Sequence, residues 1–154
     1  MKVICFAGYS NAGKTHLIER LIPVLKARGL RVSVLKHAHH RFDIDHPGKD
    51  SHRHRAAGAF EVLVASSHRL ALMREFEHEA EPRVHALLAE LDGGVDWVLV
   101  EGFRDSDLPK LEVWRAAAGK PVRYPGDGFV AAIATDSPGQ LPRPPQRPVL
   151  DLND

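Results

Sequence analysis

The first turn of this chain follows a short apolar run, and residues 3–15 are Val-Ile-Cys-Phe-Ala-Gly-Tyr-Ser-Asn-Ala-Gly-Lys-Thr. The five apolar residues predict a strand buried on both faces, because a strand covered by helices on each side shows no polar alternation. The residues that follow have apolar side chains at helical spacing, and the predicted helix ends near Gly29. These apolar side chains are Leu17, Ile18, Leu21, Ile22 and Leu25. Pro23 lies inside this helix and is expected to kink or split it.

Residues 8–15 match the phosphate-binding pattern G-x-x-x-x-G-K-[ST] at every fixed position. Glycines let successive backbone N–H groups converge on phosphate oxygens, and the helix N-terminus adds positive potential. Lys14 is predicted to reach the β- and γ-phosphates, and the Thr15 hydroxyl to bind Mg²⁺. An ordinary glycine-rich turn has no need of a Lys-Thr pair. The predicted nucleotide-binding residues in this segment are Gly8, Ser10, Asn11, Ala12, Gly13, Lys14, Thr15 and His16.

Two acidic residues follow later apolar runs, at strand ends where open α/β sheets bind ligands. Glu101 follows the run 97–100. It is predicted to hold Mg²⁺ through a water or to polarise an attacking water, which makes it the catalytic partner of Lys14. Asp136 follows the run 130–134. Its carboxylate can accept the two N–H groups of guanine that adenine lacks, so it is the candidate for base recognition. The alternative for Glu101 is an ordinary strand end, and the alternative for Asp136 is a turn residue.

Six of the ten histidines lie between residues 37 and 54, interleaved with three aspartates. Three interpretations are open: a transition-metal site, a substrate or switch loop near the γ-phosphate, and a solvated polar loop. The substrate or switch loop is favoured, because the loop leaves the second predicted strand on the same sheet edge as the phosphate loop. Its candidate residues are Lys36, His37, His39, His40, Asp43, Lys49, Asp50 and Arg53. Asp45 is the candidate metal contact, with Asp43 and Asp50 as rivals.

Length and composition predict one globular domain over residues 1–154, since 44% of the residues are apolar and 27% are charged. The net charge of +1 gives no overall attraction to nucleic acid or anionic membranes. The single cysteine, Cys5, excludes an intrachain disulfide. No apolar run is long enough for a signal peptide or a membrane-spanning helix, and a cytoplasmic protein is expected.

The alternation of strands and helices predicts an α/β fold of P-loop NTPase-like class, with a mostly parallel central sheet and helices on both faces. Phe60–Ala65 and Arg69–Met73 predict an antiparallel hairpin added to that architecture. A short helix is expected to follow Asp50 or Ser51 as its N-cap. Residues 138–148 contain five prolines and predict an extended strap.

The chain resembles the MobB family of molybdopterin-guanine dinucleotide biosynthesis adaptor proteins. The resemblance rests on residues 8–15, Lys36-His37-Ala38-His39-His40, residues 45–51, Ala57-Gly58-Ala59, residues 99–103 and residues 151–154. His16 departs from the family, which commonly has Thr at this position. The resemblance implies a homodimer that binds GTP and Mg²⁺, hydrolyses GTP weakly and assists a MobA-type guanylyltransferase, with direct binding of the molybdopterin cofactor left open. A small-molecule kinase and a histidine-rich metallochaperone GTPase are the alternative functions.

Overall fold

The computed structural model describes residues 1–38, 42–79 and 81–154. In chain order, the elements are β1 (Lys2–Ala7), α1 (Lys14–Ala27), β2 (Val32–Lys36), α2 (Asp50–Ala56), β3 (Glu61–Ala65), β4 (Leu70–Arg74), α3 (Val84–Ala89), β5 (Trp97–Glu101), β6 (Lys110–Trp114), β7 (Val130–Thr135) and β8 (Val149–Asp151). They form two compact units: Met1–His37 with Arg83–Asp154, and Ala38–Pro82. The organisation of residues 1–154 as a single domain stays a prediction.

The first unit is built on a six-stranded sheet in the order β2-β5-β1-β6-β7-β8, and every pairing in it is parallel. Side chains along a strand alternate between the two faces of a sheet. Cys5 and Val98 pack with Leu88 of α3 in one core cluster. Phe6 and Leu99 pack with Ile18 of α1 in another. The predicted α/β fold, with helices on both faces of a mostly parallel sheet, is confirmed.

Helix α1 is continuous through Pro23, so the expected split does not occur. The proline is exposed, and the backbone carbonyl that loses its N–H partner there can bond to water. The prediction that Asp50 or Ser51 caps α2 was wrong. Lys49 occupies the N-cap position in an extended conformation, and Asp50 lies in the first turn, where its charge favours the helix dipole.

The strap of residues 138–148 begins with a 3₁₀ turn at Pro138–Gln140 and leads into β8, a strand that the sequence did not predict. Tyr124 fixes the strap, because its hydroxyl donates to the carbonyl of Arg143 and its own carbonyl accepts from Arg147 Nη1 at 2.5 Å. Strand β8 has only three residues and owes its extended form to pairing with β7, from Ile133 opposite Val149 to Thr135 opposite Asp151.

The second unit contains α2 and the hairpin of β3 and β4. The strands pair antiparallel, which confirms the predicted hairpin, and they form a two-stranded sheet of their own. Val62 is the one buried apolar side chain among the residues described in this unit. Leu63 and Leu72 face each other across the strands, and their exposed fractions are 59% and 41%. Leu70, on the same face, is 65% exposed.

Candidate functional site

The phosphate loop joins β1 to α1 and passes close to β6. A Cβ atom on Gly8 would lie 2.4 Å from the carbonyl oxygen of Val113, so only glycine fits where the loop begins. The loop ends at Gly13, which is the N-cap of α1. The free backbone N–H groups of the first helical turn therefore face the loop, as binding of phosphate oxygens requires.

Lys14 already lies across the loop that its side chain would serve. Its Nζ donates to the carbonyl oxygens of Gly8 and Tyr9, at 2.9 and 2.8 Å. An ammonium group has three N–H donors, so one remains for an incoming anion. Burial lowers the pKa of Lys14 below its ordinary value, and the negative charge of Glu101 opposes this shift. The lysine is thus held in place before any phosphate arrives.

Thr15 and Glu101 meet although they are 86 positions apart, and the Thr15 hydroxyl donates to Glu101 Oε1 at 2.7 Å. The contact follows from topology, because β5 lies beside β1 and both strands end at the same sheet edge. The other carboxylate oxygen of Glu101 is 3.8 Å from Lys36 Nζ. Hydroxyl and carboxylate oxygens are the hard ligands that Mg²⁺ prefers. The pair fits the predicted metal.

Glu101 is also anchored through its backbone and its neighbours. Its carbonyl accepts the N–H of His37 at 2.8 Å, and the His37 ring stacks on Phe103 with centroids 4.4 Å apart. A Cβ on Gly102 would lie 2.6 Å from the Cβ of His37, which requires glycine there. Behind them, Cys5 Sγ donates to the carbonyl of Gly102 at 3.0 Å, and burial raises the pKa of this thiol to about 11.

Arg115 links the phosphate loop to the end of β7. Its Nε donates to the carbonyl of Ala12 at 3.2 Å, and its Nη1 donates to Asp136 Oδ2 at 2.6 Å. The other oxygen of Asp136 accepts from the Ser137 hydroxyl at 2.7 Å. The carboxylate predicted to recognise guanine is therefore engaged at both oxygens. Its role toward the base stays a prediction.

Sequence reasoning missed Arg115, although a signal was present. The residue directly follows β6, and the rule that pointed to Glu101 and Asp136 applies equally to it. A cavity of about 600 Å³ also lies against the loop, and it is lined by Tyr9, Ser10, Asn11, Arg115, Ala117, Ala118 and Lys120.

The second unit contains most of the candidate residues of the histidine-rich loop. Arg55 gathers three carboxylates there, since Asp43 Oδ2 lies 3.1 Å, Asp45 Oδ2 3.4 Å and Glu75 Oε1 2.9 Å from its nitrogens. The other oxygen of Asp45 accepts from the Ser51 hydroxyl at 2.8 Å. A hydrogen bond from the Asp45 N–H and the Arg55 guanidinium hold the pKa of Asp43 below its ordinary value. Asp45 thus has a partner within its own unit, and its role at the metal stays a prediction.

The remaining loop candidates make few contacts that would define a site. Asp50 and Arg53 form an exposed ion pair at 3.7 Å, and Lys49 precedes α2. Such exposed pairs contribute little to stability. His39 and His40 lie outside the described residues. Within residues 1–38, 42–79 and 81–154, no three His, Cys, Asp or Glu side chains are placed to hold a metal ion together.

The sheet is parallel, and the phosphate loop, the lysine and the acid lie at the ends of its strands. These features define a P-loop NTPase-like protein. Membership of this class implies nucleotide binding. The family model described as "Molybdopterin guanine dinucleotide synthesis protein B" (MobB) matches residues 3–136. The chain belongs to the MobB family. No helix in the described part of the chain is long and apolar enough to cross a membrane.

Two similar curated proteins are named molybdopterin-guanine dinucleotide biosynthesis adapter proteins. The one from Escherichia coli is 42% identical over 99% of this chain and 86% of its own length. The one from Haemophilus influenzae is 41% identical over 95% of this chain and 79% of its own length. A crystal structure of molybdopterin-guanine biosynthesis protein B matches with a TM-score of 0.74 and 26% identity, over 99% of this chain and 90% of that one. Bacillus subtilis MobB matches with a TM-score of 0.73 and 25% identity, over 100% and 91%.

Proposed function

We propose that this protein binds GTP and Mg²⁺ at the phosphate loop and acts in the cytoplasm as an adaptor in the synthesis of molybdopterin-guanine dinucleotide. One observation carries the nucleotide part of the proposal: at one sheet edge, Lys14 Nζ donates to the loop carbonyls of Gly8 and Tyr9, and the Thr15 hydroxyl donates to Glu101 at 2.7 Å. Membership of the MobB family supports the pathway.

The phosphate loop would bind the triphosphate through its backbone N–H groups and the free donor of Lys14. Thr15 and Glu101 would hold Mg²⁺, which neutralises charge on the phosphate oxygens when bound. Glu101 would also orient a water toward the terminal phosphate. Hydrolysis would break the bond between that phosphate and the β-phosphate oxygen and transfer the phosphoryl group to water. We expect a turnover number below ~1 s⁻¹, which is the lower end of the range typical of kinases.

The proposed partners are a second copy of the chain and a MobA-type guanylyltransferase. The exposed leucines of the hairpin support the homodimer, because exposed apolar patches mark protein interfaces and an isolated two-stranded sheet is marginally stable. The exposed leucines of the hairpin are Leu63, Leu70 and Leu72.

Calorimetric titration tests the nucleotide assignment. We expect GTP to bind more tightly than ATP and Mg²⁺ to strengthen binding. Equal affinity for the two nucleotides would remove the guanine preference while leaving phosphate binding intact. Turnover with and without the guanylyltransferase then tests the adaptor role. An unstimulated rate within the kinase range would contradict it.

A further inference from the structure

Besides Lys14, a second lysine lies at the proposed metal site. Lys36 ends β2 and is the cross-strand partner of Glu101, which ends β5. Directly paired residues of neighbouring parallel strands project from the same face of a sheet. Leu99, two residues before Glu101, and Val32, four residues before Lys36, both belong to the core cluster that packs against α1. The side chains of Lys36 and Glu101 therefore lie together on the α1 face of the sheet.

The two members of this pair differ in how firmly they are held. Lys36 Nζ lies 3.8 Å from Glu101 Oε2, and the side chain of Lys36 is 60% exposed whereas that of Glu101 is 13% exposed. The Thr15 hydroxyl also fixes Glu101, because it donates to the other carboxylate oxygen at 2.7 Å. An ion pair with an exposed member is weak, and a lysine ammonium is carried on a flexible four-carbon stem. The lysine can therefore leave the acid with little loss of stability, while the acid stays in place.

The order of the strands limits which part of a nucleotide Lys36 can reach. The sheet runs β2-β5-β1-β6-β7, so the phosphate loop after β1 lies between Lys36 on β2 and Asp136, the predicted base contact, after β7. A nucleotide with its base toward Asp136 would extend its terminal phosphate to the opposite side of the loop, toward β5 and β2. Burial is the main cause that lowers the pKa of Lys14, Glu101 opposes this shift, and the positive charge of Lys36 adds to it. The two ammonium groups are thus close enough to interact.

Charge gives Lys36 a reason to change partners when ligands bind. If Thr15 and Glu101 hold Mg²⁺ as proposed, the carboxylate has a divalent counterion, and a lysine beside the same carboxylate is repelled. The oxygens of a terminal phosphate accept charge-assisted hydrogen bonds, which are stronger than an exposed ion pair. The ammonium of Lys36 is therefore better satisfied by that phosphate than by Glu101.

We propose that Lys36 is a specificity-determining residue that distinguishes a nucleoside triphosphate from a diphosphate. Without a ligand, its ammonium is the counterion of Glu101. With the triphosphate bound, it hydrogen-bonds the terminal phosphate and leaves Glu101 to the metal. The inference rests on the proposed function for the position of the nucleotide, and it adds the residue that couples the metal ligand to the terminal phosphate.

Lys36→Met tests this role, because it removes the ammonium and keeps an unbranched side chain. Calorimetry at saturating Mg²⁺ measures the affinities for a non-hydrolysable GTP analogue and for GDP. We expect the ratio of triphosphate to diphosphate affinity to fall about tenfold, since one charge-assisted hydrogen bond to the terminal phosphate is lost. The Mg²⁺ affinity of the GDP complex should rise about threefold, because Glu101 loses a competing cation. Lys26→Met, at an exposed lysine near the end of α1, is the matched control and should change neither quantity.

An unchanged affinity ratio in Lys36→Met would overturn the inference, because a lysine that only supports the fold near Glu101 affects both nucleotides alike. A fall in the Mg²⁺ affinity of the GDP complex would also overturn it, since Lys36 would then assist Glu101 as a ligand rather than compete for it. If the wild type binds neither nucleotide, the proposed function fails, and the role of Lys36 fails with it. Equal affinity of the wild type for GTP and ATP removes only the guanine preference, and the ratio of affinities for an ATP analogue and ADP then tests Lys36 in the same way.

Discussion

The two units of this protein bury their apolar side chains very differently. The sheet of the first unit has a strand core in which Cys5, Val98, Leu99 and Val100 are completely buried. In the second unit, Val62 alone is buried among the residues described, while large apolar side chains are exposed at Phe42, Ile44, Phe60, Leu63, Val64, Leu70, Leu72 and Phe76. A unit this small buries a small share of its surface, so its stability on its own is marginal.

This difference matches the two parts of the proposed function, ligand binding and assembly. In the first unit, Lys14 contacts the carbonyls of the loop, and Glu101 contacts Thr15. The second unit offers an apolar face, which is typical of association with another protein surface. The predictions that follow separate ligand binding in the first unit from assembly through the second.

The largest expected effect is at Lys14. Lys14→Ala removes the ammonium that would bind the terminal phosphates, and GTP affinity should fall more than about a hundredfold. Calorimetry measures the affinity, and sedimentation should show the oligomeric state of the wild type. Tight GTP binding by this variant would contradict the site. A change in assembly would show that the two units are not independent.

The next effect concerns the hairpin. Leu72→Lys places a charge on the exposed apolar face and should raise the dissociation constant of the homodimer about fiftyfold, through lost apolar burial and a desolvated charge. Sedimentation equilibrium measures this constant. Val24→Lys is the matched control, because Val24 is 49% exposed on α1 of the first unit. A wild type that is monomeric at every concentration would sink the proposed dimer.

The buried thiol of Cys5 shows whether these variants remain folded. Burial and a pKa of about 11 keep the thiol unreactive in the native protein at pH 8. Rapid labelling of Leu72→Lys would mean that the first unit has opened, and the variant would then report unfolding rather than dissociation.

A smaller effect is expected at Glu101. Glu101→Gln keeps the shape of the side chain and removes the charge, so the Mg²⁺ affinity of the nucleotide complex should fall about tenfold or more. Binding of GTP without Mg²⁺ should change much less. Titration of Mg²⁺ into the nucleotide complex measures the loss. Glu19→Gln, at an exposed position of α1, is the control. Unchanged Mg²⁺ dependence in Glu101→Gln would place the metal elsewhere.

The smallest effect concerns surface carboxylates. Each unit has one whose pKa lies below its ordinary value: Asp105 in the first unit and Asp43 in the second. The hydrogen bond from Arg123 holds the pKa of Asp105 below its ordinary value. When the pKa of a carboxylate is lower in the folded state than in the unfolded state, the group stabilises the fold at pH values above its unfolded-state pKa. This contribution is lost as the pH falls through the folded-state pKa. Because Asp105 is largely exposed, Asp105→Asn should reduce the acid-dependent loss of stability by only a few tenths of a kcal/mol. Urea unfolding between pH 6 and pH 3 measures this. A variant with the same pH dependence as the wild type would show that the Arg123 contact contributes nothing.

The features that the sequence predicts are those that depend on residues close together in the chain. The apolar run before Gly8 predicts β1, the two apolar runs 60–65 and 69–73 predict the hairpin, and the phosphate motif predicts where α1 begins. The contact between Thr15 and Glu101 was also within reach, because the ends of neighbouring parallel strands must meet.

The remaining features depend on partners far away in the chain. Strand β8 is extended because β7 lies beside it, and Arg115 becomes part of the loop only because β6 places it there. The pairing of Asp43 and Asp45 with Arg55 has the same origin. No local periodicity records such contacts, and prolines before β8 argue against a strand when the sequence is considered alone.

The guanidinium that bridges Ala12 and Asp136 affects how nucleotide selectivity can be measured. Replacing Asp136 would release Arg115 as well, so the change would alter the support of the loop backbone together with any reading of the base. An altered preference for GTP in such a variant has two origins. Only comparison with a variant at Arg115 can separate them.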